Sequence, residues 1–421
     1  MRVLFTVSDW AGHYYCMVPL GWALQAAGHE VRVACPPPQA TAVSHAGLVP
    51  VPVLDGPDMT YCTRLIRYQE AVDGTGVLPG PPLHPVSGRP VDDLGDFDVA
   101  AATAAFWQDA GRRIERSYDA AVGFGRLWAP DLVLHDLMAP EGALVARLAG
   151  VPSVYHSAGL FGAAETEPVL ETGLEDPTGS FARHGARPWD RTQIGHVIDP
   201  SPDPALPPHG SALRIPVRPV AYNGPAAVPD WLRERPAGRR ICVLWGYSAT
   251  AMYGPHVPAL RHAVEAAAGT GAEVVLAVGA EQAAVLGALP DRVRVLTGFP
   301  VHLLLAACDA VVHHGGAGTA MNAFAAGTPQ LCLTLSIDRP VYRERVMGGG
   351  AALALSALTS TPGEIRAGLT AVLEDGRYRA AARRIAAGLA GRPSPAALVP
   401  GLERLARTGR WDAAAVAGAG R

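Results

Sequence analysis

Strand-like and helix-like patterns alternate along this chain, and the alternation occurs twice. Val3–Val7 is a continuous apolar run, which is typical of a buried parallel strand. Further strands of the first half are predicted at Glu30–Ala34, Val49–Val53, Leu132–His135 and Ser153–His156. After a proline-rich passage the alternation restarts at Arg240, with strands predicted at Ile241–Leu244, Glu273–Val278, Val293–Leu296, Ala310–Val312 and Gln330–Leu333. Two successive alternations predict two doubly wound, Rossmann-like α/β domains.

The length of 421 residues also favours two domains, because a single hydrophobic core seldom grows that large. The predicted divisions are an N-terminal domain (1–215), a linker (216–235), a C-terminal domain (236–395) and a final helix and tail (396–421). A return of that last segment to the first domain is left open. Ligands of doubly wound sheets bind beyond the carboxyl ends of the strands. We therefore expect Ser8–Tyr14 and Asp136 to face Gly246–Thr250 and His313–Thr319 across an interdomain cleft.

One junction in the second half has the composition of a phosphate-binding loop. The run from Val311 to Thr319 reads Val-Val-His-His-Gly-Gly-Ala-Gly-Thr, and an alanine-rich helical pattern follows. Amides at a helix N-terminus lack intrahelical partners and attract anions, and glycines let a phosphate approach the backbone. We expect an imidazole N–H from His313 and a hydroxyl from Thr319 to add to this cradle. The predicted diphosphate-binding residues are His313, Gly315, Gly316, Ala317, Gly318 and Thr319. The alternative is a glycine-rich turn with structural histidines.

Composition excludes several classes of protein. The net charge of −3 argues against a nucleic-acid partner, and 49% hydrophobic residues are enough for a substantial core. No apolar stretch approaches the roughly 20 residues that a membrane-spanning helix needs. The six cysteines are scattered without a C-x-x-C pair, so neither a zinc site nor a disulfide framework is indicated. These features predict a soluble enzyme of the reducing cytoplasm.

Several groups of residues carry a resemblance to a known family. Leu4–Thr6, His13 and the run from Val18 to Val31 resemble the opening of nucleotide-sugar-dependent glycosyltransferases of the GT-B fold. His313–Thr319, followed by Gly-Thr-Pro-Gln at 327–330, resembles their donor-binding signature. Tyr-Asn-Gly-Pro at 222–225 and Val-Pro-Asp-Trp-Leu at 228–232 are similar to actinobacterial enzymes that attach deoxysugars to macrolides and other polyketides, such as desosaminyl- and forosaminyltransferases. The resemblance covers almost the whole chain and is weakest at 57–125 and 160–210.

The resemblance implies that the first domain binds the acceptor and that two of its residues have catalytic roles. His13 matches the histidine that serves as general base in many members, and an imidazole suits removal of a proton near neutral pH. Asp136 either orients His13 and stabilises its cation, or acts as the base itself. A turn or N-cap aspartate is the structural alternative for Asp136.

The resemblance also implies donor contacts in the second domain, which would bind the nucleotide sugar. Gly246 and Ser248 match a loop that touches the diphosphate, and Asp338 matches an aspartate that binds sugar hydroxyls. Arg339 stands where many relatives carry glutamine, which implies an unusual donor or a differently placed loop.

Two further positions concern the nucleoside. Members usually carry an aromatic residue at the position of Gly298, so either Phe299 stacks on the base or the backbone of Phe299 and Val301 holds it. Asn322 stands where uridine-diphosphate enzymes carry a glutamate that binds both ribose hydroxyls. Because thymidine lacks the 2′-hydroxyl, this replacement favours a thymidine diphosphate (TDP) sugar.

Together these features predict an inverting glycosyltransferase that moves a deoxysugar from a TDP-sugar to a polyketide or other natural-product aglycone. The aromatic-rich stretch Met59–Trp128 is expected to line the pocket of a large apolar acceptor. No Asp-x-Asp lies near the phosphate loop, so neither a metal nor a cofactor is expected. A homodimer and an auxiliary activator protein are left open as partners. The alternatives are a non-catalytic GT-B-like activator, against which His13 and the phosphate loop argue, and a nucleotide-sugar epimerase, which would need carboxylates near the loops.

Overall fold

Two parallel β-sheets organise the protein. A computed structural model describes residues 1–78, 80–166, 175–234, 236–335 and 340–414. The first sheet has the order β3-β2-β1-β4-β5-β6-β7, and its strands are β1 Arg2–Thr6, β2 Glu30–Ala34, β3 Val49–Val51, β4 Leu132–His135, β5 Ser153–His156, β6 His196–Asp199 and β7 Leu213–Pro216. The second has the order β10-β9-β8-β11-β12-β13, formed by β8 Arg240–Leu244, β9 Glu273–Val278, β10 Val293–Thr297, β11 Ala310–His313, β12 Gln330–Thr334 and β13 Ala352–Ser356. The two sheets confirm the predicted pair of doubly wound α/β domains.

Helices connect these strands. In the first half they are α1 Ala11–Tyr15, α2 Val18–Ala26, α3 Ala40–His45, α4 Met59–Val72, α5 Val99–Trp128, α6 Glu141–Ala149, α7 Ser180–Arg183 and α8 Asp230–Arg233. In the second half they are α9 Tyr247–Tyr253, α10 Pro258–Gly269, α11 Ala280–Leu286, α12 His302–Leu305, α13 Ala317–Ala326, α14 Pro340–Met347, α15 Pro362–Glu374, α16 Gly376–Ala390 and α17 Pro395–Thr408. Within the described ranges, no helix is both long and apolar enough to cross a bilayer.

The chain divides into two compact units whose boundaries differ from the contiguous division expected from sequence. The first contains residues 1–56, 110–225 and the segment from 388 onward, and the second contains 57–109 and 226–387. Residues 57–109 fold with the second unit because α4 packs on α9. The Arg64 guanidinium donates to the Ala251 carbonyl at 2.9 Å, and that of Arg67 lies over the Tyr253 ring at 5.5 Å.

The C-terminal helix α17 packs in the core of the first unit. Leu398, Leu402 and Leu405 are fully buried in the same cluster as Val3 and Phe5 of β1. Their spacing of four and three residues places them on one face of the helix. Burial of each leucine stabilises this docking by about 1.5–3 kcal/mol.

Two motifs that carry the family resemblance have structural contacts. Tyr222 packs edge-on against Tyr15 and Trp22, with ring centroids 5.4 and 5.3 Å away. Trp231 lies under the guanidinium groups of Arg240 and Arg294, at 5.3 and 5.1 Å from its ring centre. These contacts hold both ends of the segment 222–231, which contains the two motifs.

Four elements depart from the sequence prediction. Three strands, β6, β7 and β13, are absent from the strands predicted from sequence. The helix α4 is likewise absent from the predicted elements, and its N-cap Asp58 accepts a hydrogen bond from the Tyr61 amide. The β13 sequence Ala-Leu-Ala-Leu-Ser favours a helix locally, so pairing with β12 overrides the local propensity.

Candidate active site

The predicted phosphate loop lies between β11 and α13 in the second unit. β11 ends at His313, and α13 begins at Ala317 with Gly316 as its N-cap. Gly315 adopts a φ of +93°, a conformation that side-chain-bearing residues rarely take. Since the N-cap is a glycine, it provides no side chain to satisfy the first amides of α13. Those amides, which include Gly318 and Thr319, are therefore available to an anion.

His313 differs from its predicted role as a donor at the mouth of the loop. Its side chain is fully buried, and its Nδ1 accepts a hydrogen bond from the Gly315 amide at 3.1 Å. Nε2 then carries the proton and donates to Gln330 Oε1 at 3.0 Å. Both ring nitrogens form hydrogen bonds within the protein, so the role of His313 is to hold the backbone of the loop in place.

The neighbouring His314 was not selected from sequence, yet it is the histidine on the loop side. Its Nδ1 accepts the Gly246 amide proton at 3.1 Å, which places the ring proton on Nε2. A Cβ added to Gly316 would lie 2.8 Å from that Nε2. His314 and Gly246 are 68 positions apart, so no local pattern indicates which of the two adjacent histidines faces the loop.

The loop is also held by a residue that no local pattern indicates. The buried Tyr342 of α14 donates its hydroxyl proton to the Gly315 carbonyl. The two residues are 27 positions apart, so only the tertiary structure reveals the contact. Together Tyr342 and His313 hold Gly315 of the loop through both its carbonyl and its amide.

The remaining predicted donor residues surround this loop or lie outside the described residues. Gly246 is the N-cap of α9, and Ser248 lies in the first turn of that helix. Asn322 donates its side-chain amide to the Gly318 carbonyl at 2.6 Å. Phe299 and Val301 are half-buried against an apolar cluster that includes Leu304, Leu305 and Val311. Asp338 and Arg339 lie outside the described residues.

In the first unit, His13 and Asp136 are brought together through Ser8. The Ser8 hydroxyl lies 2.7 Å from Asp136 Oδ2 and 3.4 Å from His13 Nδ1. The Ser8 amide also donates to Asp136 Oδ2 at 2.7 Å, and the Met138 amide donates to Asp136 Oδ1 at 2.7 Å. Asp136 is thus both a turn aspartate and a partner of the His13 site. Ser8 and Asp136 are 128 positions apart, so the sequence alone does not indicate the role of Ser8.

Burial sets the protonation of His13. Desolvation lowers the pKa of His13 below its ordinary value of 6.5, and the negative charge of Asp136 opposes that shift. His13 is therefore neutral at pH 7 and able to accept a proton. It lies on the short helix α1, where the Cys16 thiol donates to its carbonyl at 2.9 Å.

Comparison with known proteins identifies the family. A model of the N-terminal domain of erythromycin biosynthesis protein CIII-like proteins matches residues 22–73 and 99–246. The C-terminal domain model of the same family matches residues 261–405. The chain belongs to the erythromycin biosynthesis protein CIII-like family.

Individual relatives are similar to this chain along almost their whole length. The 10-deoxymethynolide desosaminyltransferase of Streptomyces venezuelae is 34% identical over 420 residues, which cover 96% of this chain and 97% of that enzyme. The L-demethylnoviosyl transferase of Streptomyces niveus is 37% identical, with coverage of 96% and 97%. The structure of spinosyn rhamnosyltransferase SpnG complexed with thymidine diphosphate has a TM-score of 0.72 at 29% identity, covering 96% of this chain and 100% of that one. This CIII-like protein is a glycosyltransferase of the GT-B fold.

The segment expected to line the acceptor pocket is partly used for packing in this glycosyltransferase. Phe106 is buried and meets Tyr61 edge-on at 5.8 Å, and Tyr68 is buried against Phe97 at 5.4 Å. Trp107, in contrast, is 56% exposed. A role for the exposed part of this segment in acceptor binding stays a prediction.

We expect the CIII-like glycosyltransferase to lose stability on mild acidification. Burial lowers the pKa of His135, His156 and His313 to about 4, and that of His314 to about 3. In the unfolded chain these groups titrate near pH 6.5, so the unfolded state binds more protons below that pH. Their contribution is complete above pH 6.5 and is lost as the pH falls toward 4, by up to about 1.4 kcal/mol per histidine and pH unit.

Thermal unfolding at pH 7.5, 6.5 and 5.5, in buffers of equal ionic strength, measures this effect. The melting temperature should decline mainly in the lower interval, with a net uptake of protons on unfolding at pH 5.5. A melting temperature that is constant from pH 7.5 to 5.5 would contradict the prediction.

Proposed function

We propose that the protein is an inverting glycosyltransferase that moves a deoxysugar from a TDP-sugar to a polyketide aglycone, with His13 as general base. The observation that carries the proposal is the second unit's phosphate loop. Its uncapped helix N-terminus and the Nε2 proton of His314 are held at one strand-to-helix junction. Such an arrangement suits the two negative phosphates of a nucleotide sugar.

The relatives support the two substrates. The SpnG structure contains thymidine diphosphate, which is the nucleotide that we propose here as the product. The Streptomyces venezuelae enzyme is named for desosamine and for 10-deoxymethynolide, and the family itself is named for erythromycin biosynthesis. We therefore place a deoxysugar on the donor and a polyketide aglycone as the acceptor.

The proposed chemistry is a single displacement at the anomeric carbon of the donor. The acceptor hydroxyl forms the new bond to that carbon, His13 takes its proton, and the bond from carbon to diphosphate oxygen breaks. Attack from the face opposite the diphosphate inverts the configuration. The negative charge that grows on TDP is stabilised by the α13 amides and by His314, an electrostatic contribution that costs no reorganisation.

Product analysis tests the proposal. The purified protein is incubated with a panel of TDP-deoxysugars and polyketide aglycones, and TDP release and glycoside formation are followed by mass spectrometry. We expect release of one TDP per glycoside formed, and a proton NMR spectrum of the glycoside with the anomeric configuration opposite to that of the donor. Retained configuration would exclude the inverting mechanism. TDP binding without TDP release across the panel would favour an activator, and sugar isomerisation without transfer would favour an epimerase.

We expect the protein to bind TDP more tightly than uridine diphosphate (UDP). Asn322 offers no carboxylate to the ribose, and its amide is already bonded to Gly318. A 2′-hydroxyl left without a partner costs on the order of 1–2 kcal/mol, or roughly 5- to 30-fold in affinity. Titration calorimetry with TDP, 2′-deoxy-UDP and UDP separates the hydroxyl from the base methyl, because the last pair differs only in the hydroxyl.

The Asn322→Glu variant is the matched test for this preference. A carboxylate at this position should reduce the difference in binding affinity between UDP and 2′-deoxy-UDP. Equal or tighter binding of UDP by the unaltered protein would reject the argument from Asn322.

A further inference from the structure

We propose that Ser8 is a positioning residue that fixes which ring nitrogen of His13 carries the proton. Its hydroxyl, held by Asp136, keeps the proton on Nδ1 and leaves Nε2 as the basic nitrogen. The consequence for rate rests on the proposed function of His13 as base, whereas the consequence for the tautomer does not.

The hydrogen-bond inventory at Ser8 supports this assignment. A serine hydroxyl has a single proton to donate and can accept further hydrogen bonds. The carboxylate of Asp136 accepts only, and it lies 2.7 Å from Ser8 Oγ, so the hydroxyl proton points to Asp136. Toward His13 Nδ1, at 3.4 Å, Ser8 then presents a lone pair. Nδ1 must donate to complete that bond, so the neutral ring carries its proton there.

Asp136 is held rigidly enough to enforce this direction. Its side chain is fully buried, and three protons converge on its two oxygens. They come from the amide and hydroxyl of Ser8 and from the amide of Met138. Rotating the Ser8 hydroxyl toward His13 would leave a buried carboxylate one hydrogen bond short, and such a loss at a charged group is costly.

Two variants perturb the hydrogen bonds that link Asp136, Ser8 and His13, one at Ser8 and one at Asp136. Ser8→Ala removes the acceptor for Nδ1–H, so the hydrogen bond that keeps the proton on Nδ1 is lost. In Asp136→Asn, one carboxylate oxygen is replaced by an NH2 group, which faces either the Met138 amide or Ser8. In both orientations the NH2 group, a donor, meets an N–H or O–H group that donates to Asp136 in the unaltered protein. Where that NH2 faces Ser8, the hydroxyl must accept from it and donate to His13, which reverses the tautomer. Ser8→Thr keeps the hydroxyl and is the conservative control.

The tautomer can be measured without reference to activity. In protein with ¹⁵N-labelled histidines at pH 7.5, the His13 signals are assigned from the spectrum of a His13→Gln variant. We expect Nδ1 to give the signal of a protonated ring nitrogen and Nε2 that of an unprotonated one. Ser8→Ala should shift the proton toward Nε2, Asp136→Asn should do so to the extent that its NH2 group faces Ser8, and Ser8→Thr should not. Circular dichroism and melting temperature verify that each variant is folded.

Steady-state kinetics of the same variants complete the test. We expect kcat of Ser8→Ala to fall roughly 10- to 100-fold, with KM for donor and acceptor within about threefold, because part of the general-base contribution is lost. Ser8→Thr should recover most of kcat. A protonated Nε2 in the unaltered protein, or an unchanged tautomer in Ser8→Ala, overturns the inference. A shifted tautomer with unchanged kcat leaves the role of Ser8 in place and instead rejects His13 as the base.

Discussion

Replacement of His13 by alanine is expected to lower kcat by roughly 100- to 10,000-fold, the range that a positioned general base contributes. The acceptor hydroxyl is a poor nucleophile, and a methyl side chain could not take its proton as the glycosidic bond forms. TDP affinity should stay within a few-fold, because His13 belongs to the first unit and the phosphate loop to the second. Single-turnover kinetics and TDP calorimetry on the same preparation measure both quantities.

His45→Ala is a suitable control for this change, because His45 is an exposed histidine of the same unit. It should leave kcat unaltered. Should His13→Ala retain most of its rate, the base is Asp136 or a group of the substrate, and Asp136→Asn becomes the variant to measure.

The pH profile of the unaltered enzyme offers a second test of the same residue. His13 must be neutral to accept a proton, and burial lowers its pKa below 6.5. The rate should therefore be independent of this group above pH 6.5 and should fall with acidification below it. A loss of rate that is complete by pH 7 would contradict this environment for the base.

Gly246→Ala is expected to weaken TDP binding by about tenfold or more. A Cβ at Gly246 would lie 2.6 Å from Cε1 of His314, closer than real contacts allow. The ring cannot rotate away freely, because its Nδ1 accepts the amide proton of Gly246 itself and it is almost fully buried. Overpacking of this kind costs typically 1–3 kcal/mol, and the displaced imidazole is the group that we assign to the diphosphate.

Gly279→Ala provides a closely matched control. Gly279 is the N-cap of α11, with φ −72° and ψ 159°, and Gly246 is the N-cap of α9, with φ −73° and ψ 159°. A Cβ at Gly279 meets its nearest atom, Gln282 Oε1, at an ordinary 3.8 Å. Calorimetry with TDP should therefore give near-normal affinity for Gly279→Ala. Equal affinities for the two variants would show that the close approach of His314 does not matter for the donor.

The two candidate sites were accessible from sequence to different degrees. The phosphate loop was found because its signals are local: a strand, three glycines and a helix start occupy Val311–Ala326 without interruption. Which histidine points toward the loop depends on the partners Gln330, in β12, and Gly246, at the N-cap of α9. The role predicted for His313 therefore differs from its observed one, while His314 takes the position facing the loop.

Alternation of apolar strands and helices by itself determined the two parallel α/β units, since each strand and each helix carries its own periodicity. The tertiary structure alone decided the assignment of residues 57–109 to the second unit and the return of α17 to the first. It also decided that Ser8 lies between His13 and Asp136, since Ser8 and Asp136 are 128 residues apart. The physical reason is the range of the forces involved. Backbone preference and side-chain periodicity act over a few residues and can be read along the chain, whereas hydrogen-bond partners and buried contacts depend on which strands become neighbours in the sheet.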